Sequence, residues 1–343
     1  MTFRIFRMVL SLILVFTTAL ASAATPALAD PIDPATLATA ALTSNRVAAL
    51  QDADGGWVPV VGDADCSAGC LYGEVAYWLL AAYNHKRYAA LKPGAIVTLK
   101  TANALVAEYD AGPGCDPDRP ASDAALLLSI GSLSADPKYG RVGKALLDCL
   151  HSIFPTGPSR ADALIARGTQ AVTDAAFDFV AGYNTPRILV QRYALAEAQR
   201  IIARRADWND PGCPECVLRV KGLLLYMYTP RSGAFTAAER KIMQEWMSDL
   251  LRAQDLTPGP NYGSWFGNTA TTAYAMMALF VPGGPVLEGL GKLGVSFLHS
   301  IQRPDGSLPA SLGDATERIL TDALAVGGAC FALRALCRGG AQT

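Results

Sequence analysis

The sequence predicts an all-α chain of about six helical hairpins closed into an (α/α)6 toroid. Two observations predict it. Helical segments stop at turn-rich stretches near Gln51, Tyr109, Ile153, Arg204, Gln254 and Gln302, at successive spacings of 58, 44, 51, 50 and 48 residues. Second helices begin after those stretches near Tyr72, Ala121, Gln170, Val217, Thr269 and Leu320, spaced by 49, 49, 47, 52 and 51 residues. Two independent markers with one period signal a repeat architecture. The strict apolar–polar alternation of a half-buried strand is absent.

The two helices of each hairpin differ in character. Segments after the turns are apolar nearly all round, as in Val75-Ala76-Tyr77-Trp78-Leu79-Leu80 or Ala273-Tyr274-Ala275-Met276-Met277-Ala278-Leu279. A helix apolar on every face is buried, so these are expected to form an inner ring. Segments before the turns are amphipathic, as in Arg240 through Leu251, and are expected to form an outer ring. Short links such as Ser134-Ala135-Asp136-Pro137 return the chain to the next outer helix, with proline suited to a first helical turn.

Composition sets the outer bounds. Half the residues are hydrophobic, 51%, and the net charge is −1. A large core is therefore available, and no basic run marks a nucleic-acid partner. Arg4 and Arg7 precede an apolar run from Met8 to Leu20, followed by Ala21-Ser22-Ala23 and Ala27-Leu28-Ala29. That order reads as a secretory signal peptide over residues 1–29. The run is shorter than the ~20 apolar residues that a bilayer span needs. The remaining 30–343 reads as one toroid domain with no membrane span, secreted or periplasmic.

Gln51-x-x-Asp54-Gly55-Gly56-Trp57 resembles the Q-x-x-D-G-x-W turn of squalene-cyclase and prenyltransferase repeats. Gln302-Arg303-Pro304-Asp305-Gly306-Ser307 repeats it with serine for tryptophan. Gln254 through Gly263-Ser264-Trp265, followed by Asn268-Thr269-Ala270, is a longer-looped version. Three of six repeats carry the turn. Six hairpins with such links are equally similar to the barrels of six-hairpin glycosidases and some polysaccharide lyases. The resemblance implies the α/α toroid and no single activity. It does not extend to the D-x-D-D acid of terpene cyclases, since Asp116-Pro117-Asp118 and Asp63-Ala64-Asp65 are only D-x-D. The zinc ligands of prenyltransferases cannot be placed either. The turn itself has a structural role: glycines admit positive φ, the glutamine can cap a neighbouring helix, and the tryptophan can pack over the join.

The loops from outer to inner helices all emerge at one end, where the buried helices' N-termini offer orphan N–H groups and a partial positive field. Carboxylates and aromatics crowd those loops, the equipment of a glycosidase: one carboxyl protonates the leaving oxygen, the other activates water or attacks carbon. Glu74, two residues into an apolar helix, is the candidate acid, and Asp123, one repeat on, the candidate base. Trp57, Tyr262 and Trp265 are expected as stacking walls, and Asp54 and Asn268 as polar contacts to a small-molecule or oligosaccharide ligand. No metal or cofactor is expected. The leading reading is an exported carbohydrate-active enzyme, glycoside hydrolase or polysaccharide lyase. The competing readings are a non-catalytic binding or scaffold toroid and a cyclase-like protein without the cyclase acid.

The three histidines show no metal spacing. His85 falls in a hairpin link, in Asn84-His85-Lys86-Arg87-Tyr88, and His151 and His299 sit near outer-helix ends, where a cation favours the dipole. Eight cysteines in an exported chain point to disulfides. The expected local pairs are Cys66 with Cys70, Cys115 with Cys149 and Cys213 with Cys216. Cys330 and Cys337 stand seven residues apart on one helix, a rise of about 10 Å, and are expected to stay reduced. The mature protein is expected to begin at Ala24 or Asp30. Intact-mass measurement of the exported protein checks this, and a membrane-bound chain retaining Met1 contradicts it.

Overall fold

The computed structural model describes residues 34–62, 71–80, 89–112, 115–116, 119–134, 136–282 and 285–332. The expected signal peptide, the His85 link, the Cys66–Cys70 pair and Cys337 lie outside them. So does the Cys330 side chain. Among the described residues there is no sheet, only isolated bridges between rim loops, and six outer–inner helix pairs follow one another.

The outer helices are α1 (Pro34–Ala49), α3 (Lys92–Ala111), α5 (Pro137–Ile153), α8 (Ile188–Ala203), α11 (Ala237–Ala253) and α13 (Pro285–Ile301). The inner helices are α2 (Gly73–Leu79), α4 (Ala121–Leu133), α7 (Thr173–Tyr183), α10 (Pro214–Tyr228), α12 (Thr269–Phe280) and α14 (Ile319–Ala332). Two more helices sit in rim loops where the sequence suggested only turns: α6 (Gly157–Ala166) and the short α9 (Arg205–Trp208). Pro158 hides α6 from a turn-based reading, because proline is at home in a first helical turn, and the Thr156–Ser159 capping box completes its start.

Each inner helix packs on the next, and α14 packs on α2, so the inner ring closes. The layering follows from the apolar pattern. Every residue of α12 is buried, whereas α11 buries only Met243, Trp246 and Leu250. Thr236 and Glu239 cap the start of α11 reciprocally, supplying the polar ends that an exposed helix needs.

The glutamine turns tie the outer ring together. Gln51 Nε2 donates to Gly55 O and to Val97 O of α3, both at 3.0 Å. Gln254 Nε2 donates to Gly263 O at 3.0 Å and Leu290 O of α13 at 2.9 Å. Gln302 Nε2 donates to Thr39 O of α1 at 3.0 Å, the seam between last and first hairpin. Three outer helices, α1, α11 and α13, therefore end by binding a carbonyl of the neighbouring outer helix. A bridge between Val60 and Arg318 closes the same seam at the rim. The adjoining indoles fold back onto their own helix. Trp57 Nε1 donates to Val47 O at 2.8 Å and Trp265 Nε1 to Leu250 O at 2.7 Å. Trp208 repeats the arrangement on Ile201 O at 3.0 Å, in a hairpin lacking the glutamine turn. These bonds supply donors to carbonyls in the last turn of each helix, where the regular helical ladder runs out.

Two disulfides stand where expected: Cys115–Cys149, with Cα atoms 5.4 Å apart, and Cys213–Cys216, at 5.2 Å. No helix among the described residues is long and apolar enough to cross a membrane.

The last turn gives a paired test. Gly306 has φ of +93°, and a Cβ there would lie 2.5 Å from Leu42 O. Gly313 has φ of +86° with open space around it. Gly313→Ala should lose about 1–2 kcal/mol of stability for the left-handed backbone alone. Gly306→Ala should lose about 1–3 kcal/mol more for the added overlap. Urea unfolding of the two variants measures the difference, and equal losses would show that the seam is not closely packed.

Candidate active site at the toroid rim

Three carboxylates gather where α2, α4 and α7 begin. Asp123 Oδ1 accepts the backbone N–H of Gly73 at 3.0 Å, so this side chain of α4 closes the start of α2 and stands beside Glu74. Asp174 Oδ1 accepts the N–H of Ala121 at 2.8 Å, closing the start of α4 from α7 in the same way. Burial dominates their chemistry. It pushes the half-buried Glu74 up to about 7, reinforced by the charge of Asp174 and opposed by the hydrogen bond from Tyr274. Asp123 is 4% exposed and is also pushed up to about 7 by burial, even though Arg119 and the Gly73 N–H favour its charged form. Burial likewise raises Asp174.

The opposite side of the ring presents donors. Tyr274 of α12 donates its hydroxyl to Glu74 Oε1 at 3.4 Å. Arg219 of α10 reaches Asn268 Oδ1 at 3.4 Å, and that oxygen also accepts from Thr271 N at 2.9 Å as the cap of α12. Below these groups, aromatic rings fill the axis. Trp78 is 2% exposed. It packs on Phe177 of α7 at 5.8 Å, Tyr226 of α10 at 6.0 Å and Tyr274 at 5.6 Å. Because α10 lies across the ring from α2, these contacts span the barrel. The site is therefore a cup with an aromatic floor.

The structure brings some predicted residues together and withdraws others. Glu74, Asp123 and Asn268 border the cup. Trp57 and Trp265 do not form the expected walls: both are 0% exposed, with their N–H groups committed to helix ends. Tyr262 keeps an exposed ring, as does Phe266, which holds a left-handed φ of 59°. Phe266 borders a rim groove of about 400 Å³ that also includes Lys221 and Asp249. Asp54 is exposed and structural. It accepts Gly56 N–H at 3.1 Å and the Tyr72 hydroxyl at 3.0 Å. Asp174 was missed, although it continues the spacing of Glu74 and Asp123. Among the described residues, Cys213, Glu215 and Cys216 have metal-ligand types in one place, but both sulfurs are held in the disulfide.

Behind Asp174 lies a buried ionic cluster. Arg160 of α6, 2% exposed, pairs with Asp174 and lies 3.1 Å from Asp178 Oδ2 and 3.3 Å from Glu197 Oε1. Burial pushes Glu197 well above the usual carboxylate range, and the charge of Asp178 adds to this. Burial opposes ionisation of Asp178 too, but His151, Glu197 and Arg160 hold it at about 2. One proton is therefore retained on Glu197 against ionised Asp178. His151 does more than sit on a helix dipole: its Nε2 lies 3.1 Å from Asp178 Oδ1, and its ring stacks on Tyr193 at 3.7 Å. His299 is likewise engaged, with Nδ1 2.7 Å from Thr39 Oγ1.

No protein-family model matches the chain, and no curated protein matches it. Solved structures do. The chain is similar to an unsaturated glucuronyl hydrolase specific for heparin, with 12% identity and a TM-score of 0.58 over 90% of this chain and 98% of that one. It is also similar to an inactive α-1,6-mannanase variant of Salegentibacter sp. HEL1_6 in complex with α-1,6-mannotriose. That match has 10% identity and a TM-score of 0.55 over 87% of this chain and 99% of that one. Both are six-hairpin α/α-toroid glycosidases, and this chain has their fold.

A carboxyl raised by burial lowers stability once the unfolded chain ionises it. For Glu74 the loss sets in as pH passes its ordinary 4.5 and is complete above about 7. Glu74→Gln should therefore be more stable than the parent at pH 8, by up to about 3 kcal/mol, with that gain fading by pH 4. Chemical denaturation at both pH values measures it. A difference independent of pH would mean that Glu74 ionises normally.

Proposed function

We propose that this protein is an exported carbohydrate-active enzyme, a glycoside hydrolase or polysaccharide lyase, working at the cup where the inner helices begin. The observation that carries this reading is the placement of Glu74 and Asp123 at adjacent helix starts, each raised to about 7. Paired carboxyls tuned by their surroundings are what glycosidic cleavage requires. In the hydrolytic version, Glu74 gives its proton to the leaving oxygen as the glycosidic bond breaks. Asp123 takes a proton from the water that attacks the sugar carbon. Asn268 binds a hydroxyl and Tyr262 offers a ring face. The glycosidase fold of the solved relatives agrees with this assignment, and the two disulfides agree with export.

One observation favours a second reading, a saccharide-binding toroid without catalysis. The rings around Trp78 fill the axis and leave a shallow cup. Activity decides between them. Glu74→Gln and Asp123→Asn, made separately, should each lower turnover of a responsive polysaccharide by about 100-fold or more. The parent should lose rate on both sides of neutral pH, as the acid ionises above about 7 and the base is protonated below it. Full activity in both folded variants refutes the assignment. Binding without turnover across a polysaccharide panel favours the second reading.

A further inference from the structure

Glu74, Asp123 and Asp174 stand on the half of the rim built by α2, α4 and α7, where Arg119 pairs with Asp123 and Arg160 with Asp174. On the other half the buried Asp322 of α14 accepts the Leu308 N–H, and Arg219 stands on α10. Most buried or half-buried arginines here have a carboxylate partner: Arg46 with Glu317, Arg119 with Asp123, Arg160 with Asp174. Arg219 has none within ion-pair distance among the described residues. Its Nε is sealed from solvent without a hydrogen-bond partner, and Nη2 makes only the 3.4 Å approach to Asn268 Oδ1. That oxygen is already engaged by Thr271 N and Thr271 Oγ1 at 2.9 and 3.0 Å.

Arg219 nevertheless borders the cup: it approaches Asn268, the cap of α12, and α12 carries the Tyr274 that donates to Glu74. The floor is therefore shared by the candidate acid on one side and an uncompensated cation on the other. A sugar hydroxyl could accept one N–H, but it would leave the positive charge unanswered. A planar carboxylate answers both needs, because the guanidinium fork presents parallel N–H groups at carboxylate spacing.

We infer that Arg219, with Asn268 beside it, forms an anion subsite that selects saccharides bearing a uronate carboxylate. This inference rests on the reading of the rim as a saccharide site, and it assigns Arg219 to recognition, leaving proton transfer to the carboxyls.

The test is calorimetric binding to the full-length Glu74→Gln protein, whose turnover should be about 100-fold or more below the parent's. The probes are oligogalacturonate and oligoglucuronate, their methyl esters, and a sulfated neutral oligosaccharide. At least one uronate should bind tenfold or more tightly than its ester, which keeps the shape and loses the charge. Adding Arg219→Met should erase that difference, while Arg219→Lys should retain part of it, and thermal unfolding identifies any variant that fails to fold. Equal affinity for acid and ester, a preference that survives Arg219→Met, or no binding of any uronate overturns the inference. Arg219-dependent binding of the sulfated probe alone overturns the carboxylate assignment. A parent that turns over no saccharide but keeps the Arg219-dependent preference refutes the catalytic reading and leaves this one standing.

Discussion

A buried helix start must find acceptors for its N–H groups, and the rest of this molecule is arranged around that need. Six inner helices begin at one rim, and α2 and α4 start on buried residues, Gly73 and Ala121, away from the water that would serve an exposed helix. In two places the acceptor is a carboxylate: Asp123 serves Gly73 and Asp174 serves Ala121, while Asp322 of α14 serves the rim-loop N–H of Leu308 at 2.8 Å. In the first two cases the carboxylate comes from the next inner helix. The cap is thus also a staple between neighbours, and closing the ring in register is what completes each one. The helix dipole reinforces this choice, since it favours negative charge at the same end.

That solution fixes the chemistry of the mouth. A carboxylate placed to cap a buried N–H is itself desolvated, and desolvation outweighs the hydrogen bond it receives. Asp123 shows the balance directly, raised to about 7 despite the Gly73 N–H and Arg119. Among the described residues Glu74 meets the Tyr274 hydroxyl at 3.4 Å, with Asp174 adding repulsion. Poised acids at this rim are therefore a consequence of closing the toroid. A fold that seals its inner helices with carboxylates acquires proton-transfer groups at the one end where loops can be varied to hold a substrate.

The architecture was legible because its signals are local and repeated. Gln51, Gln254 and Gln302 announce a turn by sequence, and a bond from a turn to the adjacent outer helix is the simplest use of such a side chain. The errors arose where exposure or helix phase decides. Trp57 and Trp265 looked like platforms, yet an indole just past a helix end can fold back onto an orphan carbonyl, and nothing local distinguishes the two fates. Asp174 was missed for a related reason. A 3₁₀ turn, Thr169–Val172, precedes α7, so an expected start at Gln170 places Asp174 a turn too deep. Arg219 was overlooked because α10 begins at Pro214, before the expected Val217. The cluster around Arg160 was invisible because it joins α5, α6, α7 and α8, and α6 itself was read as a turn.

The Arg160 cluster shows how a buried carboxylate at the rim is sustained. Asp174 cannot be held between Ala121 and Glu74 by its cap alone, because its own burial disfavours the charge. Arg160 supplies the compensation from behind, and it is itself held by Asp178 and Glu197. With one proton kept on Glu197, Arg160 faces ionised Asp178 beside a neutral acid, and its charge opposes the upward push that burial gives Asp174. Removing a member of such a set leaves its partners buried and uncompensated, which typically costs about 3–5 kcal/mol. Among the described residues no carboxylate stands within ion-pair distance of Arg219. Asp123 and Asp174 are tied into the ring by the N–H groups they accept and by Arg119 and Arg160, whereas Glu74 meets the Tyr274 hydroxyl at 3.4 Å and Arg219 approaches Asn268 at 3.4 Å. The first kind of group holds the rim together, and the proposed site would draw on the second.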